Sequence, residues 1–279
     1  MLPQSVKGGV VIAGFSDYFV GPILEPAMKP IYDLLCRVGL VLLLMTLGLQ
    51  PSAASGKRIV VYGATGAIGS LITQEALSRG DIVTGVARDP SKLAISNPNY
   101  TAVAGDVTNL DSFKSITRDA DAVIISVLDS GKAAPEDSVS ALAAKTAVAA
   151  YTGVARSPHI IQIGAAPTMY DTKEALLAHV HIPPENPMYG IVMGHLAALQ
   201  TYRASTIRWT VLTPPSNIQG WTMGQPPQPH RTGKYRVSTT ELVKDAQGQS
   251  ALDVADVAVA AVDEAERPRF IGKRFTVGY

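Results

Sequence analysis

Three glycines between an apolar run and a helical pattern constrain this chain more than any other feature. In "VVYGATGAIGS", Gly63, Gly66 and Gly69 follow the β-branched residues of a short strand and open a helix. Glycines at these positions permit a tight turn, a close approach of the backbone to a pyrophosphate, and close packing of the helix on the strand. The spacing therefore predicts a dinucleotide-binding loop. The residues of this loop predicted to bind the cofactor are Gly63, Thr65, Gly66, Ala67, Ile68 and Gly69.

The chain around this loop alternates short apolar runs with helical patterns. The predicted strands cover residues 58–62, 82–87, 100–104, 122–127, 159–164 and 210–212, and the predicted helices cover residues 68–78, 110–117, 139–151 and 193–203. Strands that alternate with helices form βαβ units around a parallel sheet. We therefore expect an α/β fold, a Rossmann-type doubly wound parallel sheet, in a single domain spanning residues 57–279. A small C-terminal strand-helix-strand extension completes it, with Asp253 as the N-cap of its helix and Pro268 as the stop.

The end of the second strand indicates which dinucleotide is bound. Arg88 stands where an NAD-specific site offers Asp or Glu to the ribose hydroxyls, and Lys92 lies within reach of the same pocket. Arginine pairs well with a 2′-phosphate, so NADP(H) is favoured over NAD(H). The alternative is that Arg88 is a solvated loop residue beside Asp89.

Two further segments supply predicted cofactor contacts. Asp106 and Val107 follow the third strand, where an acidic side chain and a backbone group are suited to contact adenine. Asp106 also suits an N-cap or a turn, and the two roles are compatible. Ser126, at the end of the fourth strand, is predicted to contact the ribose or the pyrophosphate of the cofactor.

Residues 1–56 form a leader that differs from the rest of the chain. The apolar run at residues 38–49 is shorter than the roughly 20 residues of a spanning helix. Ser52 and Ala54 place small residues before a cleavage point after Ala54, and a start at Met28 gives the length of a secretory signal. We expect export or membrane anchoring if residues 28–54 act as a signal, and a cytoplasmic protein otherwise. A loosely attached apolar helix is the remaining alternative.

The charge balance and the metal-binding residue types exclude several classes of partner. The formal net charge is +1 and no run of like charge occurs, so we expect no nucleic acid partner, and a membrane contact only through the N-terminal segment. Cys36 is the only cysteine, so no intrachain disulfide forms. His179 and His181 form an H-x-H with Glu185 nearby, but no second cluster accompanies them, and we predict no metal site.

The segments "VYGATGAIGSLI", "VARDPSKL" and "AGDVTN" resemble the atypical short-chain dehydrogenases/reductases, the NAD(P)H-binding, NmrA-like proteins. Residues 232–279 are similar to the branch labelled NADH-flavin reductase-like. The resemblance covers residues 58–279 and implies a Rossmann domain with the nicotinamide over the C-terminal ends of the strands. It also implies that residues 213–217, with Pro214 and Pro215, close over the nicotinamide. Gly164, at the end of the fifth strand, belongs to the same implied site.

The usual catalytic pair of short-chain dehydrogenases is missing from the chain. In that pair a lysine four residues after a tyrosine lowers the pKa of the tyrosine for proton exchange with an alcohol or carbonyl. Here Glu174 follows Tyr170 and Met193 follows Tyr189 at that spacing, and the fifth strand ends in "GAAP" without a hydroxyl. Alcohol, ketone and sugar-nucleotide epimerase chemistry by this route is therefore disfavoured. Hydride transfer to a flavin needs mainly a stacked geometry and no tyrosine-lysine pair, so it remains compatible with this sequence.

Two long insertions, residues 166–190 and residues 214–235, supply candidate walls for a planar acceptor. They contain flat or soft side chains, which alternatively only pack the loops. These side chains are Met169, Tyr170, Tyr189, Trp221 and Met223. Tyr189 and His195 are the candidate catalytic residues, with His195 placed at the start of a helix as a proton donor or, alternatively, as a helix-surface residue. The leading hypothesis is an NAD(P)H-dependent reductase of a flavin, quinone or similar small planar acceptor. The alternative is a non-catalytic NADP(H)-sensing, NmrA-like protein that binds a partner.

Overall fold

A computed structural model describes residues 56–128, 133–170, 172–179 and 181–279 of the chain. The predicted leader, including the candidate signal at residues 28–54, lies outside the described residues apart from Gly56. Within the described part of the chain, no helix is long and apolar enough to cross a membrane.

The elements alternate along the chain as the sequence pattern predicts. The strands are β1 (Arg58–Tyr62), β2 (Ile82–Ala87), β3 (Tyr100–Ala104), β4 (Ala122–Ile125), β5 (His159–Ile163), β6 (Trp209–Thr213), β7 (Asn217–Gln219), β8 (Arg236–Ser238), β9 (Ala251–Asp253) and β10 (Lys273–Gly278). The α-helices are α1 (Ala67–Ser78), α2 (Leu110–Thr117), α3 (Val139–Tyr151), α4 (Lys173–His179), α5 (Pro187–Arg203) and α6 (Val254–Glu266).

The main sheet has the strand order β3-β2-β1-β4-β5-β6-β10-β8. All neighbours in it are parallel except β8, which pairs antiparallel with β10. The predicted doubly wound parallel sheet is therefore confirmed. The direction of winding reverses at β1, because β2 and β4 lie on its two sides. In such sheets ligands bind in the crevice at the carboxyl ends of the strands, at this reversal.

Apolar side chains fill both faces of the sheet. One core includes Val61 and Ile124 and packs under α1 and α6, whereas Val60 and Ile125 belong to the core under α2, α3 and α5. This alternation follows from the period of two along a strand. Gly194 brings α5 close to α3, since a Cβ there would lie 2.2 Å from the Oγ of Ser138, the N-cap residue of α3.

Several boundaries differ from the sequence predictions. β4 ends at Ile125 and β5 at Ile163, so Ser126 and Gly164 are the first loop residues after their strands. α5 begins at Pro187, not at residue 193, because the Asn186 side chain accepts a hydrogen bond from the Met188 N–H (2.9 Å) and proline occupies the first turn. The expected helix start near His195 is therefore wrong.

The C-terminal extension is confirmed as β8, α6 and β10. Asp253 caps α6 by accepting a hydrogen bond from the Ala255 N–H (2.8 Å), and the helix ends at Glu266, two residues before Pro268. The small parallel pair of β7 and β9 was not predicted.

Candidate dinucleotide site and the neighbouring acceptor edge

The glycine loop forms a tight cradle at the carboxyl end of β1. Gly63 has a φ of +77°, and a Cβ on it would lie 2.1 Å from the carbonyl oxygen of Ser126. A Cβ on Gly69 would lie 2.1 Å from the carbonyl oxygen of Gly63. The Gly66 N–H donates to the Gly63 carbonyl (2.9 Å), and this bond closes the turn. The shape of the loop thus requires glycine at positions 63 and 69, whereas a Cβ on Gly66 would make a tight contact of 3.2 Å with the Gly63 carbonyl oxygen.

The N-terminus of α1 lies within this cradle, because the helix begins directly after Gly66. Its N-cap residue is Gly66, and no side chain caps it. Thr65 and Gly66 are exposed, while Ala67 and Ile68 are half-buried in the first turn. An uncapped helix N-terminus with small residues suits a phosphate, because backbone N–H groups and the helix dipole both favour negative charge. The residues present therefore fit the pyrophosphate of a dinucleotide.

Ser126 lies beside the cradle on the neighbouring strand end. Its N–H donates to the Tyr62 carbonyl (3.0 Å), which extends the pairing of β1 and β4 by one residue, and its side chain is half-buried. The structure thus brings Gly63 and Ser126, two of the predicted cofactor contacts, together at the reversal point.

Arg88 lies directly after β2, the strand next to β1 on the side away from β4. It is exposed and forms no ion pair with any described residue. Asp89 instead accepts hydrogen bonds from the Ser91 N–H (3.1 Å) and Oγ (2.6 Å), which lower the pKa of its carboxyl, and it stands 3.9 Å from Lys92. Arg88 is therefore not neutralised by its acidic neighbour and is available to a phosphate.

The segment after β3 has a clear structural role. Asp106 is exposed, and its Oδ1 accepts hydrogen bonds from the Thr108 N–H and Oγ1, both at 2.8 Å. The predicted turn role of Asp106 is thereby confirmed, and the predicted adenine contact stays a prediction. The Val107 side chain is buried in the core, so only the backbone groups of this residue are left for contact with a ligand.

On the other side of the reversal, β5 and β6 end in a second set of predicted residues. Gly164 is half-buried and donates its N–H to the Leu212 carbonyl (2.8 Å). Pro214 and Pro215 follow β6 and are both buried. A 3₁₀ helix, Ala166–Met169, follows Gly164, and the buried Arg274 of β10 donates from Nη1 to its Thr168 carbonyl (2.6 Å). Arg274 was not predicted, because only the pairing of β10 with β6 brings it to this edge.

The two candidate catalytic residues lie on α5. Tyr189 packs with Tyr170 against an apolar cluster formed by Leu176, Val192, Met193 and Leu196. His195 is buried, with 6% of its surface exposed, so the alternative of a helix-surface histidine is wrong. Of the five proposed wall residues, Tyr170 and Tyr189 meet at this cluster, and Met169 is buried in the 3₁₀ helix beside it. Trp221 and Met223 are not among the residues of the cluster.

Hydrogen bonds join the second insertion to the N-terminal turn of α6. Asp256 accepts hydrogen bonds from the N–H groups of Thr232 (3.0 Å) and Gly233 (2.7 Å) and from the Tyr279 hydroxyl (2.7 Å). Asp253 accepts another from the His230 N–H (2.9 Å). These contacts were not predicted from the sequence. Their acceptors are the carboxylate oxygens of Asp253 and Asp256, which lie at the start of α6.

A buried polar network lies at the amino-terminal ends of β5 and β6, at the opposite end of the strands from the crevice. His159 Nε2 is 2.8 Å from the hydroxyl of Thr210, which donates to Oε1 of Glu264 (3.1 Å). Burial and the nearby Arg208 charge lower the pKa of His159 to about 4, so the imidazole is neutral at pH 7. Because the network is far from the strand ends that form the crevice, we assign it to stability.

Comparison with known proteins agrees with this geometry. A model of the NAD(P)H-binding family matches residues 63–265, which include the whole glycine cradle. The chain belongs to this NAD(P)H-binding family. The resemblance to atypical short-chain dehydrogenases/reductases of the NmrA-like type is thereby confirmed.

Several relatives share most of the chain. Protein YwnB of Bacillus subtilis (strain 168) is 28% identical over 225 residues, covering 79% of this chain and 97% of that protein. A solved structure named "putative exported protein", from Burkholderia pseudomallei, is 28% identical with a TM-score of 0.64, covering 80% of this chain and all of the other. A third, named "putative NADH-flavin reductase", from Streptococcus pneumoniae TIGR4, is 21% identical with a TM-score of 0.64, covering 80% of this chain and 99% of the other. At that identity the last likeness shows the fold alone.

Proposed function

We propose that this family member is an NADPH-preferring reductase that passes hydride to a flavin, a quinone or a similar planar acceptor. The observation that carries the proposal is the glycine cradle with the uncapped N-terminus of α1, a site shaped for a dinucleotide. On α5, the residue four positions after Tyr189 is Met193, which is buried in a cluster with Leu176, Val192 and Leu196. A dinucleotide site of this kind serves hydride transfer but offers no tyrosine-lysine pair for carbonyl chemistry.

The residues of the cradle bind and orient the cofactor. Gly63, Gly66 and Gly69 let the backbone approach the pyrophosphate, and the uncapped N-terminus of α1 holds its charge. Arg88, free of an acidic partner among the described residues, takes the 2′-phosphate and sets the preference for NADPH. A bound reduced nicotinamide supplies the hydride.

The carboxyl ends of β5 and β6 hold the acceptor. Gly164 and the buried Pro214 and Pro215 bring no charged side chain of their own to the ends of β5 and β6. Tyr170 and Tyr189 are half-buried beside them and provide aromatic faces for a planar ring. Holding two rings in contact is enough to accelerate such a transfer, since proximity and orientation supply much of the rate. Tyr189 and His195 remain the predicted proton donors.

The shared fold supports a reductase without deciding its acceptor. The Streptococcus pneumoniae structure that bears the flavin reductase name has the same architecture, and the glycine cradle lies within the matched family region. The lack of a lysine four residues after Tyr170 or Tyr189 favours, as a second candidate, a protein that senses NADP(H) without turnover.

One experiment separates the two candidates. The full chain is titrated with NADPH and NADH by fluorescence under anaerobic conditions, and oxidation of the bound cofactor is then followed with riboflavin or menadione. We expect tighter binding of NADPH and oxidation that depends on the added acceptor. Tight binding of NADPH without oxidation by either acceptor would rule out the reductase and leave the sensor.

A further inference from the structure

A cavity of about 200 Å³ lies at the amino-terminal ends of β4, β5 and β6, at the opposite end of the strands from the crevice. Its wall consists of residues 118–121, which join α2 to β4, residues 156–158, which precede β5, and Arg208, which precedes β6. The three strands are neighbours in the sheet, and the Ile160 N–H donates to the Arg208 carbonyl (2.9 Å) at this end. The sheet therefore brings together loops that are far apart in the chain.

Each of the three segments contributes one arginine to the cavity. Arg118, Arg156 and Arg208 are all exposed, and through their side chains they form no hydrogen bond or ion pair with any described residue. Other arginines of the described chain, such as Arg79 and Arg231, are bound to carboxylates. Like charges around one cavity repel each other, and an anion among them relieves that repulsion.

The acidic side chains of the wall do not neutralise these arginines. Oδ2 of Asp121 accepts a hydrogen bond from the Arg58 N–H (2.9 Å) and lies 3.8 Å from Nε of the same residue, so Asp121 pairs with β1. Asp119 is exposed and forms no ion pair with any described residue. The wall therefore has three unpaired guanidinium groups and one unpaired carboxylate, and its positive charge is in excess.

The charge of Arg208 also acts on a buried group behind the wall. His159 directly follows Pro158 of the wall and is 1% exposed. Burial is the largest cause of the lowered pKa of His159, and the charge of Arg208 is the second. This effect fits an arginine whose charge no carboxylate of the wall compensates.

The size of the cavity and its donors limit the class of ligand. Pockets for drug-sized ligands measure roughly 300–1,000 Å³, so this cavity admits only a smaller molecule. A guanidinium group presents its N–H donors in a planar fork that matches two oxygens of a phosphate or a carboxylate. The oxygens of a phosphate point in several directions and can meet arginines from three segments, whereas those of a single carboxylate lie in one plane.

We propose that this cavity binds a small phosphate-bearing anion of about the size of pyrophosphate, held by Arg118, Arg156 and Arg208. The five residues of β5 separate the cavity from the crevice by about 16 Å. The cavity is therefore a second anion site, which is filled independently of the dinucleotide and does not depend on the proposed reductase function.

Calorimetric titration of the full chain with pyrophosphate tests the assignment, at constant ionic strength and with saturating NADP⁺ present. NADP⁺ occupies the glycine cradle, so pyrophosphate binds only elsewhere. We expect one pyrophosphate per chain, with a dissociation constant that rises about tenfold in Arg156→Gln and in Arg208→Gln, because each variant loses charge-assisted hydrogen bonds. Arg267→Gln, which removes an exposed arginine outside this cavity, is the matched control and should bind pyrophosphate as tightly as wild type.

The other outcomes of the titration overturn the proposal. Pyrophosphate binding that NADP⁺ abolishes, and that both variants retain, would place the anion at the glycine cradle. Citrate, which has three carboxylates and no phosphate, should bind at least tenfold more weakly, and equal affinity would contradict a phosphate site. A wild-type protein that binds no pyrophosphate would also exclude it. Without anion, the melting temperatures of Arg156→Gln and Arg208→Gln should stay within about 2 °C of wild type, which shows that both variants are folded.

Discussion

At the scale of single residues, two glycines with the same backbone conformation differ in their surroundings. Gly63 has a φ of +77° and Gly80 a φ of +87°, a region that L-residues rarely adopt. A Cβ on Gly63 would lie 2.1 Å from the Ser126 carbonyl oxygen, whereas one on Gly80 meets no described atom within 4 Å. Alanine substitutions at these two glycines therefore separate the free-energy cost of backbone strain from that of steric overlap.

Gly63→Ala should destabilise the fold more than Gly80→Ala. The conformation alone costs about 1–2 kcal/mol for an alanine, and at Gly63 the overlap with β4 adds to it, for a total of about 3 kcal/mol. The free energy of unfolding is measured by urea denaturation. Equal losses in the two variants would show that the β1–β4 contact relaxes, and the tight-cradle description would then be wrong.

Arg88→Ala should change the choice of dinucleotide. Loss of a charge-assisted hydrogen bond to the 2′-phosphate is expected to weaken NADPH binding about tenfold or more and to leave NADH binding within twofold. Arg118→Ala, which removes an exposed arginine without an ion pair to any described residue, is the control. Fluorescence titration measures both affinities. A preference for NADH that is unchanged in Arg88→Ala contradicts the assignment.

At the scale of elements, ion pairs hold the second insertion, residues 214–235, against α1. Arg231 donates from Nε and Nη2 to the two carboxylate oxygens of Glu75, both at 2.8 Å. Arg79 binds Glu75 as well, and it reaches Asp263 and Glu266 of α6. The hydrogen bonds from Arg231 and then Arg79 outweigh burial and hold the pKa of Glu75 below its ordinary value of 4.5.

This lowered pKa gives a pH dependence with a definite sign. A carboxyl whose pKa is lower in the folded than in the unfolded protein stabilises the fold above pH 4.5, and the contribution disappears as the pH falls through the folded pKa. Glu75→Gln should therefore lose about 2 kcal/mol of unfolding free energy at pH 7, because two arginines lose a charged partner, and much less at pH 3. Urea denaturation at the two pH values measures this.

The control for this prediction is Glu241→Gln, an exposed glutamate in no ion pair with a described residue. It should change stability little at either pH. A loss in Glu75→Gln that is the same at pH 7 and pH 3 would mean that packing, not charge, joins the insertion to α1.

The elements also show which parts of the fold a sequence can predict. β1 to β6 and the helices α1, α2 and α3 follow from local periodicity, whereas α4 was not predicted. The start of α5 was missed although Asn186 and Pro187 form an ordinary N-cap signal. Strands β7 and β9 have three residues each and pair across more than 30 positions, so neither length nor periodicity marks them. Contacts such as Arg231 with Glu75 join residues 156 positions apart and depend on the folded chain.

The same division holds within the site. The glycine cradle is local in sequence, and for that reason its shape was predictable. The burial of His195 and the contact of Arg274 with Thr168 depend on which elements become neighbours in the folded chain. The glycine cradle can thus be predicted from the sequence, whereas the surroundings of the ends of β5 and β6 depend on the pairing of β5, β6 and β10.

At the scale of the whole molecule, the cofactor crevice lies where the two cores meet. β1 and β4 contribute alternate side chains to the cores on both faces of the sheet, so a ligand bound at their ends contacts both. Residues 55–279 should therefore unfold as one cooperative unit, and NADPH should stabilise all of it.

NADPH at 100 times its dissociation constant should add about 2.7 kcal/mol to the unfolding free energy. For a unit of this size that corresponds to a rise of about 5–10 °C in melting temperature. In urea the midpoint should move upward with an unchanged slope, followed both by tryptophan fluorescence near β6 and by circular dichroism of the helices. Different midpoints for the two signals would mean that the two cores unfold separately, since a single cooperative unit gives coincident transitions whichever element is observed.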